Sequence, residues 1–407
     1  MTAREAAYQV VNRVFEEDAY ADRVLRTAAA GLDQRDRALA QRLAFGTVQR
    51  VRTLDHAIEA LGKRPVRKLD PPVRAALRLG AYQLGFTEVA THAAVNESVE
   101  LVRRARLERA VAFTNAVLRR LSNGIAPLLA SLGEETPEEA ALKHSYPDWV
   151  AELWWNELGR DDALALMRAQ NEPPERVVRL NRRKAATIAG TPDPDLPGAW
   201  HLDRVVEDAF EEGLIWPQSR GSQLAGLVVG SQAGERTLDL CAAPGGKATQ
   251  LEGDVVAVEL HPGRARELEE NCRRLGADNV TVVNADATKL PPELTGFDHV
   301  LVDAPCSGLG VLAARPDLRW RAEPLPELQL ELLRVAAERV KPGGTIVYSV
   351  CTINSEENEA VVDASGLTPQ PLGDEWPQFR HPRRPEFLLT LPHVHRTSGF
   401  FIARLTT

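Results

Sequence analysis

Two cysteines stand where a thiol could react. Cys306 lies in Asp303-Ala-Pro-Cys306-Ser-Gly-Leu-Gly310, after the apolar run Val300-Leu-Val302. Cys351 follows Val347-Tyr-Ser-Val350 and precedes Thr352. Each falls just past a β-strand pattern, and Asp303 closes the first. Open α/β sheets hold their sites at such carboxyl edges. A lone buried cysteine is most often a small hydrophobe. Two at neighbouring strand ends, one beside Asp-Ala-Pro, point instead to nucleophilic or acid–base work. Cys241 and Cys272 complete the set of four; no Cys-x-x-Cys pair occurs, so no zinc site is expected.

The rest of the chain is organised around Thr237-Leu-Asp-Leu-Cys-Ala-Ala-Pro-Gly-Gly-Lys247. An apolar run ends in Asp239, a Pro-Gly-Gly turn follows, and a helix-like segment begins at Ala248. Strand, glycine turn and helix open a doubly wound nucleotide-binding fold. Glycines let the backbone pass close to a ligand where a Cβ would collide. Cys241, Ala242, Ala243, Pro244, Gly245, Gly246 and Lys247 are therefore the candidate cofactor cradle. Val255-Val-Ala-Val-Glu259 then ends in a carboxylate about 20 residues past the first strand, placed to accept both hydroxyls of a ribose. Val282-Val-Asn-Ala-Asp286-Ala-Thr288 supplies another, either an acceptor for an adenine amino group or a helix N-cap. Glu259 alone would also suit a nicotinamide oxidoreductase. The turn lacks the GxGxxG spacing of that class, and Lys247 is followed by Ala248, so it is no phosphate loop either.

These residues need a parallel sheet to bring them together. Strands are expected at 236–240, 255–259, 279–283, 298–303, 344–349 and 399–405, with helices between, including 263–275 and 324–340. That alternation predicts an α/β Rossmann-like domain over 231–407, with Gly399–Leu405 as a late antiparallel strand. Before residue 123 no strand pattern occurs. Ala6, Val10, Val14, Leu39, Leu43 and Val48 fall at helical steps, Asp33 can cap a helix, and Pro71 can open one. Further helices are expected at 72–85, 91–104 and 108–122. Residues 1–130 thus read as an all-α bundle and Asn123–Pro137 as a linker. Residues 138–230 read as a small α/β adaptor. It holds a helical stretch bearing Trp154 and Trp155, a strand at 176–181 and a loop at 191–198. At helical spacing the tryptophans suit a core; they could also stack on bases.

Among 407 residues, 44% are hydrophobic and 26% charged, the balance of a soluble multidomain protein. No apolar run of about 18 residues or signal core is present, so no membrane partner and a cytoplasmic location are expected. The net charge of −8 argues against a nucleic-acid binder, but it is unevenly spread. Residues 1–130 hold 21 Lys and Arg against 14 Asp and Glu. Most of the excess is Arg, whose fork suits phosphate as well as a solvated helix face.

Asp36-Arg-Ala-Leu-Ala40, Gly46-Thr-Val-Gln-Arg50, Leu79-Gly-Ala-Tyr-Gln-Leu84, Ala94-Val-Asn-Glu-Ser98 and Asn115-Ala-Val-Leu-Arg-Arg120, in that order, resemble the NusB-like RNA-binding domain. The turn ending in Lys247, Asp303-Ala-Pro-Cys306 and Cys351-Thr352 resemble the RNA (cytosine-5) methyltransferase family. So do Arg315-Pro-Asp-Leu-Arg-Trp320, Leu328-Gln329 and Thr397–Ala403. Together they match its 16S rRNA members with a NusB-like domain in front. The chain departs at Glu259, where Asp is usual, and at Ser219, Ala314 and Ser398.

The resemblance implies S-adenosylmethionine (SAM) as cofactor, 16S rRNA as partner, no metal and a monomer. It also implies transfer of a methyl group to cytosine C5 through a cysteine–C6 adduct. It assigns the nucleophile to Cys351 and product release to Cys306. DNA cytosine methyltransferases use the Pro-Cys thiol instead, so the residues alone leave the two cysteines interchangeable. Asp303 would protonate or hydrogen-bond N3. Lys247 would position Asp303 or the cofactor and favour thiolate. Glu259, Arg264, Asp286 and Asp303 join the turn as cofactor-binding candidates. A tRNA methyltransferase and a non-catalytic RNA-binding assembly factor are the alternatives.

Overall fold

The computed structural model describes residues 1–185, 187–203 and 206–407. Contacts divide the chain into Met1–Glu172 with Leu312–Arg321, and Pro173–Val311 with Ala322–Thr407.

The first of these is helical: α1 (Ala3–Glu16), α2 (Ala21–Ala28), α3 (Gln34–Gln49), α4 (Val51–Gly62), α5 (Pro71–Phe86), α6 (Thr91–Arg104), α7 (Glu108–Ala130), α8 (Pro137–His144), α9 (Asp148–Leu158) and α10 (Arg160–Ala169). Helix starts follow capping chemistry. Thr2 and Glu5 form a reciprocal capping box on α1, the Asp33 side chain accepts from the Asp36 N–H on α3, and Pro71 opens α5. Leu43, Leu54, Leu77, Leu79, Leu118 and Leu121 are fully buried in one core. Each contributes roughly 1.5–3 kcal/mol of hydrophobic stabilisation before entropy.

Two expectations change here. The linker predicted from Asn123 is helix as far as Ala130. Ile125 is buried, and Leu128 and Leu129 pack on the same core, so the apolar stripe of α7 carries the helix onward. Gly124 marks close packing: a Cβ there would lie 3.0 Å from Leu61 Cδ2. Helices α8–α10, read as part of the adaptor, pack with the bundle. Thr53 Oγ1 donates to Leu142 O (2.6 Å) and Arg52 Nη1 to Tyr146 O (2.6 Å). Trp154 is fully buried edge-on to Tyr146, with ring centroids 5.3 Å apart, so it is core and offers no face to a base.

Leu312–Arg321 also packs with the helices, although it was read with the methyltransferase motifs. Arg319 is its anchor. Its fully buried guanidinium lies over the Tyr146 ring at 3.8 Å and donates to Gln49 O (3.1 Å), Ser145 O (3.0 Å), Asn171 Oδ1 (2.9 Å) and Tyr146 Oη (3.0 Å). Burial pulls it down to about 10, so it remains charged at neutral pH. Nη1 and Nη2 are matched in this way, as a buried cation demands, while Nε has no partner.

The second division holds two sheets. The smaller comprises β1 (Val177–Leu180), β2 (Gly190–Pro192), β3 (Ala199–Leu202) and β4 (Ile215–Pro217), in the order β2-β3-β1-β4. Strand β2 enters the segment expected to be a loop, pairing antiparallel with β3. Helices α11 (Glu207–Glu211) and α12 (Arg220–Val229) flank β4. The larger sheet comprises β5 (Arg236–Asp239), β6 (Asp254–Glu259), β7 (Val280–Asn284), β8 (Phe297–Asp303), β9 (Val340–Val350), β10 (Thr368–Gln370), β11 (Leu388–Thr390) and β12 (Phe400–Thr406). Its order is β10-β12-β9-β8-β5-β6-β7, with β11 also paired to β12. Strands β5 to β9 are parallel, and β12 is antiparallel to β9. Helices α13 (Pro262–Leu275) and α14 (Pro326–Arg339) are two of the crossovers. The sheet runs outward in both directions from β5 and β8, so the crevice at their carboxyl ends is the topological switch point.

Candidate active site

Strand alternation places Cys351 and Asp303 at one end of adjacent parallel strands. Asp303 pairs with Ser349 in the β8–β9 register, and Cys351 follows two residues later. The loop after Asp303 returns Cys306 so that its Sγ lies 3.5 Å from Cys351 Sγ. Two thiols in contact do not share charge equally. The hydrogen bond from Cys306 lowers the Cys351 thiol against desolvation and the nearby Asp303, and Lys247 adds to the lowering. The same bond, desolvation and the charge of Glu357 push Cys306 up. The surroundings therefore favour Cys351 over Cys306 as the thiol that ionises first.

Lys247 Nζ meets Asp303 Oδ2 at 2.7 Å and lies 5.0 Å from the Phe400 ring centroid. Ser349 Oγ donates to Asp303 Oδ1 at 2.7 Å. Both carboxylate oxygens are therefore fixed, and the cation that pairs with Asp303 also lowers Cys351.

The glycine turn is pinned to both neighbouring strands. Leu240 N–H donates to Leu301 O (3.0 Å) and Ala242 N–H to Val258 O (2.9 Å). Gly245 has a φ of +105°, and a Cβ there would come within 2.7 Å of Leu268 Cδ1. At Gly246 it would come within 2.8 Å of Trp216 Nε1. Packing against α13 and β4 thus requires these glycines, whatever a ligand also demands. Arg179 on β1, within the strand expected at 176–181, is a buried tie to this turn. It donates to Gly246 O (3.3 Å) and Thr249 Oγ1 (2.8 Å).

The carboxylates follow strand by strand. Asp239 ends β5 and is 1% exposed; its Oδ1 accepts from Cys241 N–H (3.3 Å) and its Oδ2 has no partner. Burial and the neighbouring Asp303 push it up to about 7. Glu259 ends β6, 4% exposed, and accepts from His261 N–H (2.9 Å). Arg264 on α13 reaches Ala243 O (2.8 Å) and lies 3.6 Å from Glu259. Asp286 follows β7 and caps a short turn, accepting from Thr288 N–H (2.9 Å) and Oγ1 (2.8 Å) through Oδ1 alone. The cap reading of Asp286 holds, and its second oxygen lies 3.8 Å from Lys289 Nζ. Cys241, read with the cradle, is buried, and burial pushes its thiol well above the ordinary range. Cys272 lies buried on α13, away from the reactive pair.

Asp239, Glu259, Asp286 and Asp303 thus line successive strand ends, with a buried carboxylate oxygen unmatched among them. A ligand with a cationic amino-acid end and a ribose fits this donor and acceptor set. Ser349 was legible in principle, two residues before Cys351 on the same face of β9. Asp239 was passed over as a strand end. No group of three or more His, Cys, Asp or Glu among the described residues could hold a metal ion. None of their helices is long and apolar enough to cross a membrane.

Known proteins place this arrangement. Residues 227–406 match the model for 16S rRNA methyltransferase RsmB/F, and residues 1–123 match the NusB family. A probable ribosomal RNA small subunit methyltransferase B of Synechocystis sp. is 33% identical, covering 100% of this chain and 99% of that protein. Its counterpart in Bacillus subtilis is 30% identical over 99% and 98% of the two chains. The crystal structure of PH0851 shares the fold at 24% identity, with a TM-score of 0.83 over 100% of this chain and 99% of that one. Kinship across the whole length, with both regions matched in order, shows that the chain belongs to the RsmB/F family of 16S rRNA methyltransferases.

Proposed function

We propose that the protein transfers a methyl group from SAM to C5 of a cytidine in small-subunit rRNA through a covalent adduct on Cys351. The observation that carries this is the asymmetric thiol pair beside the Lys247–Asp303 ion pair. The relatives are named as small-subunit rRNA methyltransferases, which supports the substrate class. When bound, SAM supplies an electrophilic methyl group. Asp239, Glu259 and Asp286 would hold its amino-acid, ribose and adenine parts in the crevice.

Cytosine C5 is a weak nucleophile. Addition of the Cys351 thiolate to C6 moves the ring's electron pair toward N3, which takes a proton through Asp303 as the Lys247 ammonium replaces it, and leaves C5 enamine-like; that proton returns to the Lys247–Asp303 pair when C5 takes the methyl group. C5 then takes the methyl group that SAM would supply, its sulfonium becoming a neutral thioether. The C5 proton passes to Cys306 Sγ while the Cys306 proton passes to Cys351 Sγ as the C6–S bond breaks. One proton goes to solvent when Cys351 ionises again. Splitting one hard substitution into addition, transfer and elimination is what covalent catalysis contributes. The cytosine must leave its stack to meet the thiol. The basic N-terminal helices would hold the surrounding RNA.

Lys247→Met removes the cation that favours the Cys351 thiolate. Cys351 should then ionise at higher pH, so the acid limb of the kcat/KM profile should move upward. The rate near neutral pH should fall about a hundredfold. An unmoved limb would separate Lys247 from the thiolate. Asp286→Ala should weaken SAM binding about tenfold, equivalent to ~1.4 kcal/mol, by calorimetric titration. Unchanged affinity would remove Asp286 from the adenine site. The function itself is tested by labelled methyl transfer from SAM to protein-free 16S rRNA, assembled small subunits and tRNA. Label in the first or second supports the reading. Label in tRNA alone moves the substrate, and no label despite SAM binding favours an assembly role.

A further inference from the structure

Glu357 was not singled out by its sequence, yet it is fully buried and its charge acts on Cys306. Its Oε1 accepts from Ser307 N–H (3.0 Å), Leu325 N–H (3.1 Å) and Gln329 Nε2 (2.9 Å). Its Oε2 accepts from Ser307 Oγ and from Asn354 Nδ2 (3.4 Å). All five donors are neutral. A buried carboxylate without a cation is costly unless its lone pairs are filled in this way.

The donors fall next to the reacting groups. Ser307 follows Cys306 directly, and Gln329 also donates to Pro305 O (2.9 Å), so both peptide neighbours of Cys306 are held. Ser307 Oγ gives its proton to Glu357, so it accepts from Thr352 Oγ1 at 2.7 Å. Thr352 directly follows Cys351. Tyr348 Oη in turn donates to Glu357 O (2.6 Å), fixing the backbone that carries the carboxylate. The chain Thr352–Ser307–Glu357 therefore joins the two loops one residue beyond each cysteine.

We propose that Glu357 is a positioning residue that sets the spacing of the Cys306 and Cys351 thiols through Ser307 and Thr352. Its catalytic meaning rests on the C5 methylation proposed above; its geometry does not. The charge of Glu357 also helps to keep Cys306 protonated, as its role of donor to Cys351 requires.

The test uses the full-length protein carrying Glu357→Ala, Glu357→Gln or the pair Ser307→Ala with Thr352→Val. Diamide, which accepts the two thiol hydrogens, drives closure of a Cys306–Cys351 disulfide, timed by mass spectrometry. Closure should slow about tenfold in Glu357→Ala and in the paired variant. In Glu357→Gln it should stay within about threefold of wild type, because the amide keeps Oε1 and can donate to Ser307 Oγ. In methyl transfer, kcat should fall about a hundredfold in the two slow variants while KM for SAM stays within about twofold. Should Glu357→Ala fail to fold, the paired variant, which spares the carboxylate, carries the test. Wild-type closure in a folded slow-class variant overturns the proposal, as does slowed closure with unchanged kcat. Closure needs no RNA, so it is read even if wild type labels no RNA, a result that would overturn the function instead.

Discussion

Replacing Cys351 by alanine is expected to abolish methyl transfer to RNA while SAM still binds. The thiol is the only group the proposed reaction asks to bond to carbon, and no neighbour can replace it. Cys306 sits 3.5 Å away; Cys351→Ala removes the hydrogen bond that raises it most, but desolvation and the charge of Glu357 still push it up. Without an adduct, C5 keeps the low nucleophilicity of an aromatic pyrimidine, and the loss should be roughly 10⁴-fold or more. The cofactor crevice is built from β5, β6 and β7, so SAM affinity should change by less than about twofold, or ~0.4 kcal/mol. Single-turnover labelling with calorimetry on the same preparation separates the two effects. Ordinary turnover by Cys351→Ala would return the nucleophile to Cys306.

The second large effect is opposite in kind. In Cys306→Ala the thiolate loses its donor but keeps Lys247 and the loop, so attack slows without stopping. Methyl transfer follows. The adduct then has no group to take the C5 proton and none to protonate the departing Cys351 sulfur. Protein should remain bound to RNA through the Cys351–C6 bond and appear as a denaturant-resistant, nuclease-sensitive band that wild type does not accumulate. Release in that variant should fall about 10²–10⁴-fold, the usual contribution of a positioned acid or base. A Cys306→Ala enzyme that turns over freely would show that solvent resolves the adduct.

The chemistry was more legible in the sequence than the packing that holds it. Asp303, Cys306, Cys351 and the turn to Lys247 are short words at strand ends, and a parallel sheet gathers strand ends at one edge. Their partners are not words. Arg179 reaches the glycine turn from β1, and Glu357 reaches Ser307 from the far side of a loop. Neither has a periodic signature, because a single buried polar residue is defined by what surrounds it. The residue types leave the two thiols interchangeable; their unequal surroundings, with Lys247 acting on Cys351 and Glu357 on Cys306, are what favour Cys351 in the proposed reaction.

The fold differed from expectation where local cues competed with the core. Asn123-Gly-Ile and Pro127 read as breakers, yet Ile125, Leu128 and Leu129 gain more from burial than a glycine costs in a helix, about 1 kcal/mol. Leu312–Arg321 follows strand β8 in sequence and belongs with the helices in space, because Arg319 finds its acceptors there. Sequence order cannot reveal such a crossing.

The most direct measurement uses 16S rRNA transcribed with cytidine tritiated at C5 and incubated with SAM carrying a carbon-14 methyl group. One tritium should be released to water for each 5-methylcytidine formed, because elimination from the methylated adduct expels the C5 proton, and carbon-14 should appear in 5-methylcytidine alone. Methyl gain without tritium release would place the reaction on another atom and contradict the C5 adduct.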